Sequence, residues 1–317
     1  MENNKRSFDI YADSASNVTE ELIEKYDIRI VPYTCSIDGN DFEAYVPGVP
    51  FAETAKNFYN AMREGKDTKT TLVNAHKIIT AVTPSLQAGR DVIFVTITSG
   101  LSGTYDQAIQ AGKELKELFP DRKFIPVDSA NAAFGEGLIA YYLAKLRDEG
   151  KTIDECNEWA INNRYRLHGV CTVDSLKYLK RGGRISSLAA IAGTILNIKP
   201  VLWGDDDERA KLTVMCNERG RKKAVARMIE YYKQNIIDPE KQVIAISHAD
   251  CEQEALELIE KLKELGAKEF VINYYDLCTG AHAGPGTLAL FFLGAVRNKL
   301  CKQLPNSHSG SKNKNSD

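Results

Sequence analysis

The chain has no C-x-x-C pair. Its seven cysteines, at positions 35, 156, 171, 216, 251, 278 and 301, are odd in number and scattered. That argues against a disulfide frame or a cysteine zinc site and reads as reduced, mostly buried thiols. His76, His168, His248, His282 and His308 show no i,i+4 pairing and no cysteine at ligand spacing, so neither a metal nor another cofactor is expected. An excess of either charge is missing too: 41 Lys+Arg stand against 43 Asp+Glu, a net charge of −2. The balance excludes a strongly basic nucleic-acid binder and gives no polybasic reason to sit on a membrane. Met1 to Ala15 lacks the apolar run of a signal peptide, so a cytoplasmic location is expected.

One absence is local. From Leu277 to Val296, twenty residues pass without Asp, Glu, Lys or Arg. The length fits a membrane span. Gly280, His282, Gly284, Pro285 and Gly286 interrupt its first half, however, and leave only Thr287 to Val296 as a clean apolar segment. That remainder is too short to span and reads as a buried core helix, so no stable membrane insertion is expected.

What is present is ordinary globular material, 43% hydrophobic and 9% aromatic over 317 residues. At this length one core usually splits into two. Short β-rich runs alternate with amphipathic helical patterns. Phe8 to Ala12 reads as a strand, stopped by Asp13-Ser14, and a helix with an acidic first turn starts near Thr19. Asp38-Gly39-Asn40 is a tight turn between two short strands. Asp91 to Thr96 is a near-continuous apolar strand of the kind buried on both faces of a parallel sheet. A helix follows from Tyr105, then a strand at Lys123 to Val127 and another helix to Leu146. This repeated β-loop-α pattern predicts an α/β fold.

After Thr152 to Asn163, a helix, the expected elements are a strand at Leu167 to Val173, a basic glycine-rich loop at Lys180 to Arg184, and a buried helix over Ile185 to Ile198. Val201 to Trp203 and Ala210 to Met215 read as a hairpin around the acidic turn Asp205 to Glu208, which lacks the spaced oxygens and glycine of a calcium loop. Helices over Glu218 to Asn235 and Glu252 to Leu265 alternate with strands at Gln242 to Ser247 and Phe270 to Tyr275. The expected division is 1–165, 166–301 and a disordered polar tail, 302–317.

Three hydroxyl- or glycine-rich segments are expected as loops that can hold an anion: Thr68 to Thr71, Ser99 to Thr104, and Gly280 to Gly286. Gly100-Leu101-Ser102-Gly103-Thr104 is not a nucleophile elbow, because threonine stands where the last glycine belongs. There is no G-x-x-x-x-G-K-[ST], and Gly280-x-x-x-Gly284-x-Gly286 is not the dinucleotide fingerprint. The residues alone describe a two-domain α/β protein that binds a small anion.

In order along residues 7 to 297, several pieces resemble the DegV family of bacterial fatty-acid-binding proteins. They are Asp13-Ser14, Ser99-Gly-Leu-Ser-Gly-Thr-Tyr105, Val127-Asp-Ser129, Tyr178-Leu-Lys-Arg-Gly-Gly-Arg-Ile-Ser186, Leu196-Asn-Ile-Lys-Pro200 and Gly280-x-His-x-Gly-Pro-Gly286. The resemblance implies two α/β domains with mainly parallel sheets and a fatty acid held between them. It puts Thr70 and Ser102 on the carboxylate, with Ser99, the Gly103 N–H and His282 near the head group. Val73 and Asn74 replace the proline and last serine of the family's threonine loop, and Ala281 replaces the threonine before the histidine. The family's better-known branch hands the fatty acid to a separate kinase for acyl-phosphate formation in phospholipid synthesis. Arg184 is the expected contact with that partner.

Burying about 14 methylenes gains roughly 11 kcal/mol at about 0.8 kcal/mol each, enough for tight binding after association costs of several kcal/mol. An unpaired buried carboxylate opposes this gain, and hydrogen bonds from Thr70, Ser102 and Gly103 would offset it. Ile185–Ile198 and Thr287–Val296 are expected either to line the tunnel or to pack as plain core. The alternatives to a lipid carrier are a hydrolase or phosphotransferase acting on a small anionic substrate, and an interaction protein with an empty cavity.

Overall fold

The computed structural model describes residues 6–183, 197–204 and 212–297. Four strands form a wholly parallel sheet in the order β2-β1-β6-β7: β1 (Phe8–Asp13), β2 (Ile28–Val31), β6 (Asp91–Thr96) and β7 (Phe124–Asp128). β1 is buried along its whole length and β6 on all but its first residue, as their continuous apolar sequences require of central parallel strands. The chain leaves β1 toward β2 on one side and reaches β6 on the other. The loops after β1 and β6 therefore diverge and open a crevice at their carboxyl ends.

A small antiparallel sheet, β4-β3-β5, sits beside this crevice: β3 (Thr34–Ile37), β4 (Asn40–Glu43) and β5 (Thr68–Thr71). Asp38 and Gly39 take positive φ, 51° and 82°, the two left-handed residues that a tight hairpin turn of matching twist needs. Thr68 to Thr71, expected as a loop, is thus a strand, with Thr70 opposite Cys35.

The second sheet has six strands in the order β10-β9-β8-β13-β11-β12: β8 (Leu167–Thr172), β9 (Ile198–Gly204), β10 (Leu212–Arg219), β11 (Val243–His248), β12 (Glu269–Tyr274) and β13 (Leu288–Leu293). The α/β expectation holds, but the parallel character belongs to the first sheet. Here only β11–β12 is parallel and the other four pairings are antiparallel. The main correction is β13. Thr287 to Val296, expected as a buried helix, contains a strand between β8 and β11. A six-residue apolar run, LALFFL, has no polar face to reveal its period, so pattern alone does not separate buried strand from buried helix. In the expected helix Ile185–Ile198, residues 185–196 lie outside the described residues and Ile198 opens β9. Arg184, Asp205 to Glu208 and the tail 302–317 also lie outside them.

Period-two alternation splits the second sheet's side chains. Leu288, Leu290 and Phe292 pack with Trp203 and Tyr231 under α8 (Arg221–Asn235) and α9 (Glu252–Lys263). Ala289 and Phe291 face the other way and join the core of the parallel sheet. Between the two sheets lies α5 (Phe134–Asp148), which contacts β1 and β6 as well as β8, β11 and β13. Gly137 permits this fit, since a Cβ there would stand 2.3 Å from the Ser16 carbonyl oxygen.

Polar groups tie the layers together. Asn17, left-handed at φ 58°, donates from Nδ2 to the Tyr274 carbonyl (2.5 Å) and accepts from the Ser247 hydroxyl at Oδ1 (2.5 Å). Asp13 accepts from the Ala15 and Ile97 N–H groups at 2.8 and 3.0 Å, fixing the loops after β1 and β6 against each other. Next to Asp13 lies Glu136, fully buried in the first turn of α5, with Asp276 close by. Burial pushes the Asp13 and Asp276 carboxyls up to about 7, and burial together with these carboxyls raises Glu136 further.

A folded-state pKa above the unfolded value favours the protonated native form. The associated stability is full below pH ~4 and is lost as pH rises through about 7 for Asp13 and Asp276. Glu136→Gln supplies a neutral group of nearly the same shape. Its melting temperature is expected to fall less than that of the parent protein between pH 5 and pH 8. Identical slopes in thermal melts would show that Glu136 is not held neutral.

Candidate functional site

The crevice between β1 and β6 continues into a cavity of about 180 Å³. Its polar side is built by three segments remote in sequence. Ser102 and Gly103 come from the turn after β6 that leads into α4 (Thr104–Leu118), Thr70 from β5, and His282 from α10 (Leu277–Ala283). Its apolar walls include Leu72, Ile97, Leu101, Leu179 and Leu212.

Ser102 sits in a hydroxyl cluster. The Tyr33 hydroxyl is 3.0 Å from Ser102 Oγ and 2.6 Å from Thr104 Oγ1, and the two smaller hydroxyls are 3.0 Å apart. Ser102 Oγ also accepts from the Thr104 N–H at 3.3 Å. Burial drives the Tyr33 hydroxyl well above its usual pKa, so it stays a neutral donor. α4 starts directly after the turn of Ser102 and Gly103, and a helix start, with its N–H groups lacking intrahelical acceptors and its positive dipole end, favours an anion. The Tyr33 and Ser102 hydroxyls and Gly103 line the cavity with Thr104 buried behind them, and no lysine or arginine stands among the described lining residues.

Thr70 Oγ1 and His282 Nε2 lie 3.5 Å apart, at the long limit of a hydrogen bond. Their approach depends on α7 (Leu176–Gly182), which packs against α10. A Cβ at Gly182 would stand 2.5 Å from His282 Nδ1, so only glycine lets the histidine lie against that helix. From α7, Arg181 Nη2 donates to Thr68 Oγ1 at 3.0 Å and thereby holds β5, the strand that carries Thr70. Lys180 to Gly182, expected in a loop, are the last turn of this helix.

Gly280 to Gly286 also differs from expectation. Gly280 to Ala283 belong to α10, capped by Asp276, whose carboxylate accepts from the Thr279 N–H at 2.8 Å. Gly280 and Gly284 serve packing rather than ligand approach. Added Cβ atoms would stand 2.1 Å from the Tyr59 hydroxyl and 2.1 Å from the Tyr178 ring. Ser99 is absent from the cavity lining, and its N–H donates to Asp128 at 3.3 Å.

Thr70, Ser102, Gly103 and His282 thus share one cavity, Ser99 does not, and Arg184 lies outside the described residues. Reading the sequence missed Tyr33, Tyr275, Cys278 and Thr279, which also line the cavity. Tyr33 follows the carboxyl end of β2, a position that the crevice rule would have flagged once the strand order was known. Beyond Leu101, Leu212 and Tyr275, which line both, a second cavity of about 40 Å³ runs to Gly169, Val170 and Phe291 at the face of the second sheet.

The DegV family model, described as an uncharacterised protein family, matches residues 7–295. A DegV domain-containing protein of Clostridium perfringens is 37% identical over 293 residues, covering 92% of this chain and 99% of the relative. Among solved structures, a DegV lipid-binding protein of Thermotoga maritima superposes with a TM-score of 0.78 at 26% identity, covering 92% of this chain and 100% of that one. A second Thermotoga maritima protein, described as revealing a fatty-acid-binding function, gives a TM-score of 0.77 at 26% identity over 91% and 99% of the two chains. With a family match over nearly its whole length and a relative of this identity, the chain belongs to the DegV family.

Proposed function

We propose that this protein binds a long-chain fatty acid and presents its carboxylate to a separate fatty acid kinase. The observation that carries the reading is the meeting of Ser102 and Thr70, from opposite sides, at one cavity whose other walls are largely apolar. Ser102, Thr70 and the Gly103 N–H bind the carboxylate, with His282 and Tyr33 beside it. The acyl chain runs past Leu101, Leu212 and Tyr275 into the second cavity and ends against Phe291. The fatty-acid and lipid binding described for the two Thermotoga maritima relatives supports the same ligand class.

The protein acts as a carrier in this reading. The described partners of Ser102 Oγ are Tyr33 and Thr104, so no base is positioned against it among the described residues, which weighs against the hydrolase alternative. The chain lacks a phosphate-binding motif, so the phosphoryl transfer falls to the kinase, and Arg184 is the residue assigned to that contact.

Long-chain fatty acid is expected in solvent extracts of the purified protein by mass spectrometry. A hydrogen bond to a charged group contributes about 1.5–3 kcal/mol, so Thr70→Ala with Ser102→Ala is expected to weaken binding by about 100-fold or more in a fluorescent fatty-acid titration. An unchanged affinity would remove these two residues from the site. Gly169 lies against the Phe291 ring, which a Cβ would meet at 3.0 Å. Gly169→Val is therefore expected to shift the extracted lipid toward shorter chains, and an unchanged profile would place the chain elsewhere. Arg184→Ala is expected to keep its lipid while its phosphorylation by a fatty acid kinase falls; normal phosphorylation would reject the docking role.

A further inference from the structure

β12 is an edge strand of the six-stranded sheet, paired on one side with β11. The Tyr274 carbonyl turns away from β11 and accepts from Asn17. By the period-two alternation of a strand, Ile272 and Phe270 turn their backbone groups the same way. No described residue is recorded as pairing with those groups. They face a groove of about 430 Å³, which lies apart from the proposed fatty-acid site.

The groove is floored by Val18, Ile30, Phe51 and Val271 and bordered by Tyr45. In the segment between Tyr45 and Phe51, both of which line the groove, Val46 and Val49 are each 45% exposed. Among the described lining residues the ionisable groups, tyrosine apart, are the carboxylates of Glu20 and Glu21, both exposed. Partial burial raises the Tyr45 hydroxyl, and the nearby charges of Glu20 and Glu24 raise it further. Glu20 Oε1 takes the Phe51 N–H at 3.0 Å, leaving Glu21 facing solvent.

We propose that this edge is a docking site for a short, basic, extended segment of a partner protein, added as a strand along Phe270–Ile272. Backbone pairing supplies the register, the apolar floor takes alternate side chains, and the two glutamates select lysine or arginine on the others. An edge left to solvent is normally blunted by lysine or proline. Phe270, Val271 and Ile272 carry neither.

The test uses the full chain and a capped hexapeptide of alternating lysine and valine, with amide hydrogen exchange read by NMR. The peptide is expected to slow exchange at Phe270 and Ile272, and added salt is expected to reverse the effect. Glu20→Lys with Glu21→Lys is expected to lower affinity by about tenfold or more. Glu21→Lys alone, which leaves the Phe51 contact intact, is expected to lower it by a smaller factor. The proposal fails if neither amide is protected at millimolar peptide, or if a peptide with glutamate in place of lysine protects them equally. It also fails if both amides become protected without peptide as protein concentration rises, which would make a second copy of the chain the occupant.

Discussion

A helix with eleven of its fifteen residues buried keeps only a narrow solvent face, and α5 is such a helix, pressed between two sheets. Every other placement follows from this constraint. The loop after β1 must pass within contact of the helix start, which requires glycine at 137. The carboxyl of Glu136 must enter the core as a neutral group, because the cost of burying its charge exceeds that of holding a proton. Asp13, next to it, then fixes the crevice loops through two backbone N–H groups, and the hydroxyl cluster around Ser102 rests on those loops.

The described donors of the cavity are neutral groups. A buried arginine would hold a carboxylate more firmly, but at a large desolvation cost and with a slow release. Hydroxyls and N–H groups at a helix start give hydrogen bonds strong enough to keep the anion from protonating without a deep Coulomb well. For a carrier that must let go, as proposed, this is the appropriate compromise. His282 adds an imidazole to this lining, held at its place by the close contact with Gly182.

The parallel sheet was readable because its strands carry strong local signals: DVIFVT is apolar throughout, and Asp38-Gly39 demands one kind of turn. Thr70, Ser102, Gly103 and His282, picked out through the motifs around them, line one cavity. Elements fixed by neighbours far along the chain were not readable in this way. LALFFL is a strand because β8 and β11 leave a gap for it, and TKTT is a strand because the β3 hairpin offers an edge. Neither fact is encoded within the segment. Ser99 stands apart from them. It belongs to the motif, but its backbone is committed to Asp128 and it does not line the cavity. Tyr33 and Tyr275 reach the site from positions whose relevance depends on strand order, which no local pattern displays.

The place of β13 carries one more implication. It is the last described strand in sequence, yet it occupies the middle of its sheet and contributes to both cores. Until it arrives, β8 and β11 have no common partner and α5 lacks part of its bed. A nascent chain emerging from the ribosome can complete the parallel sheet early, but it must keep the second sheet open until residue 293 is out. The cavity walls that depend on Phe291 therefore close last, and this interior comes into being only when nearly all of the described polypeptide has been synthesised.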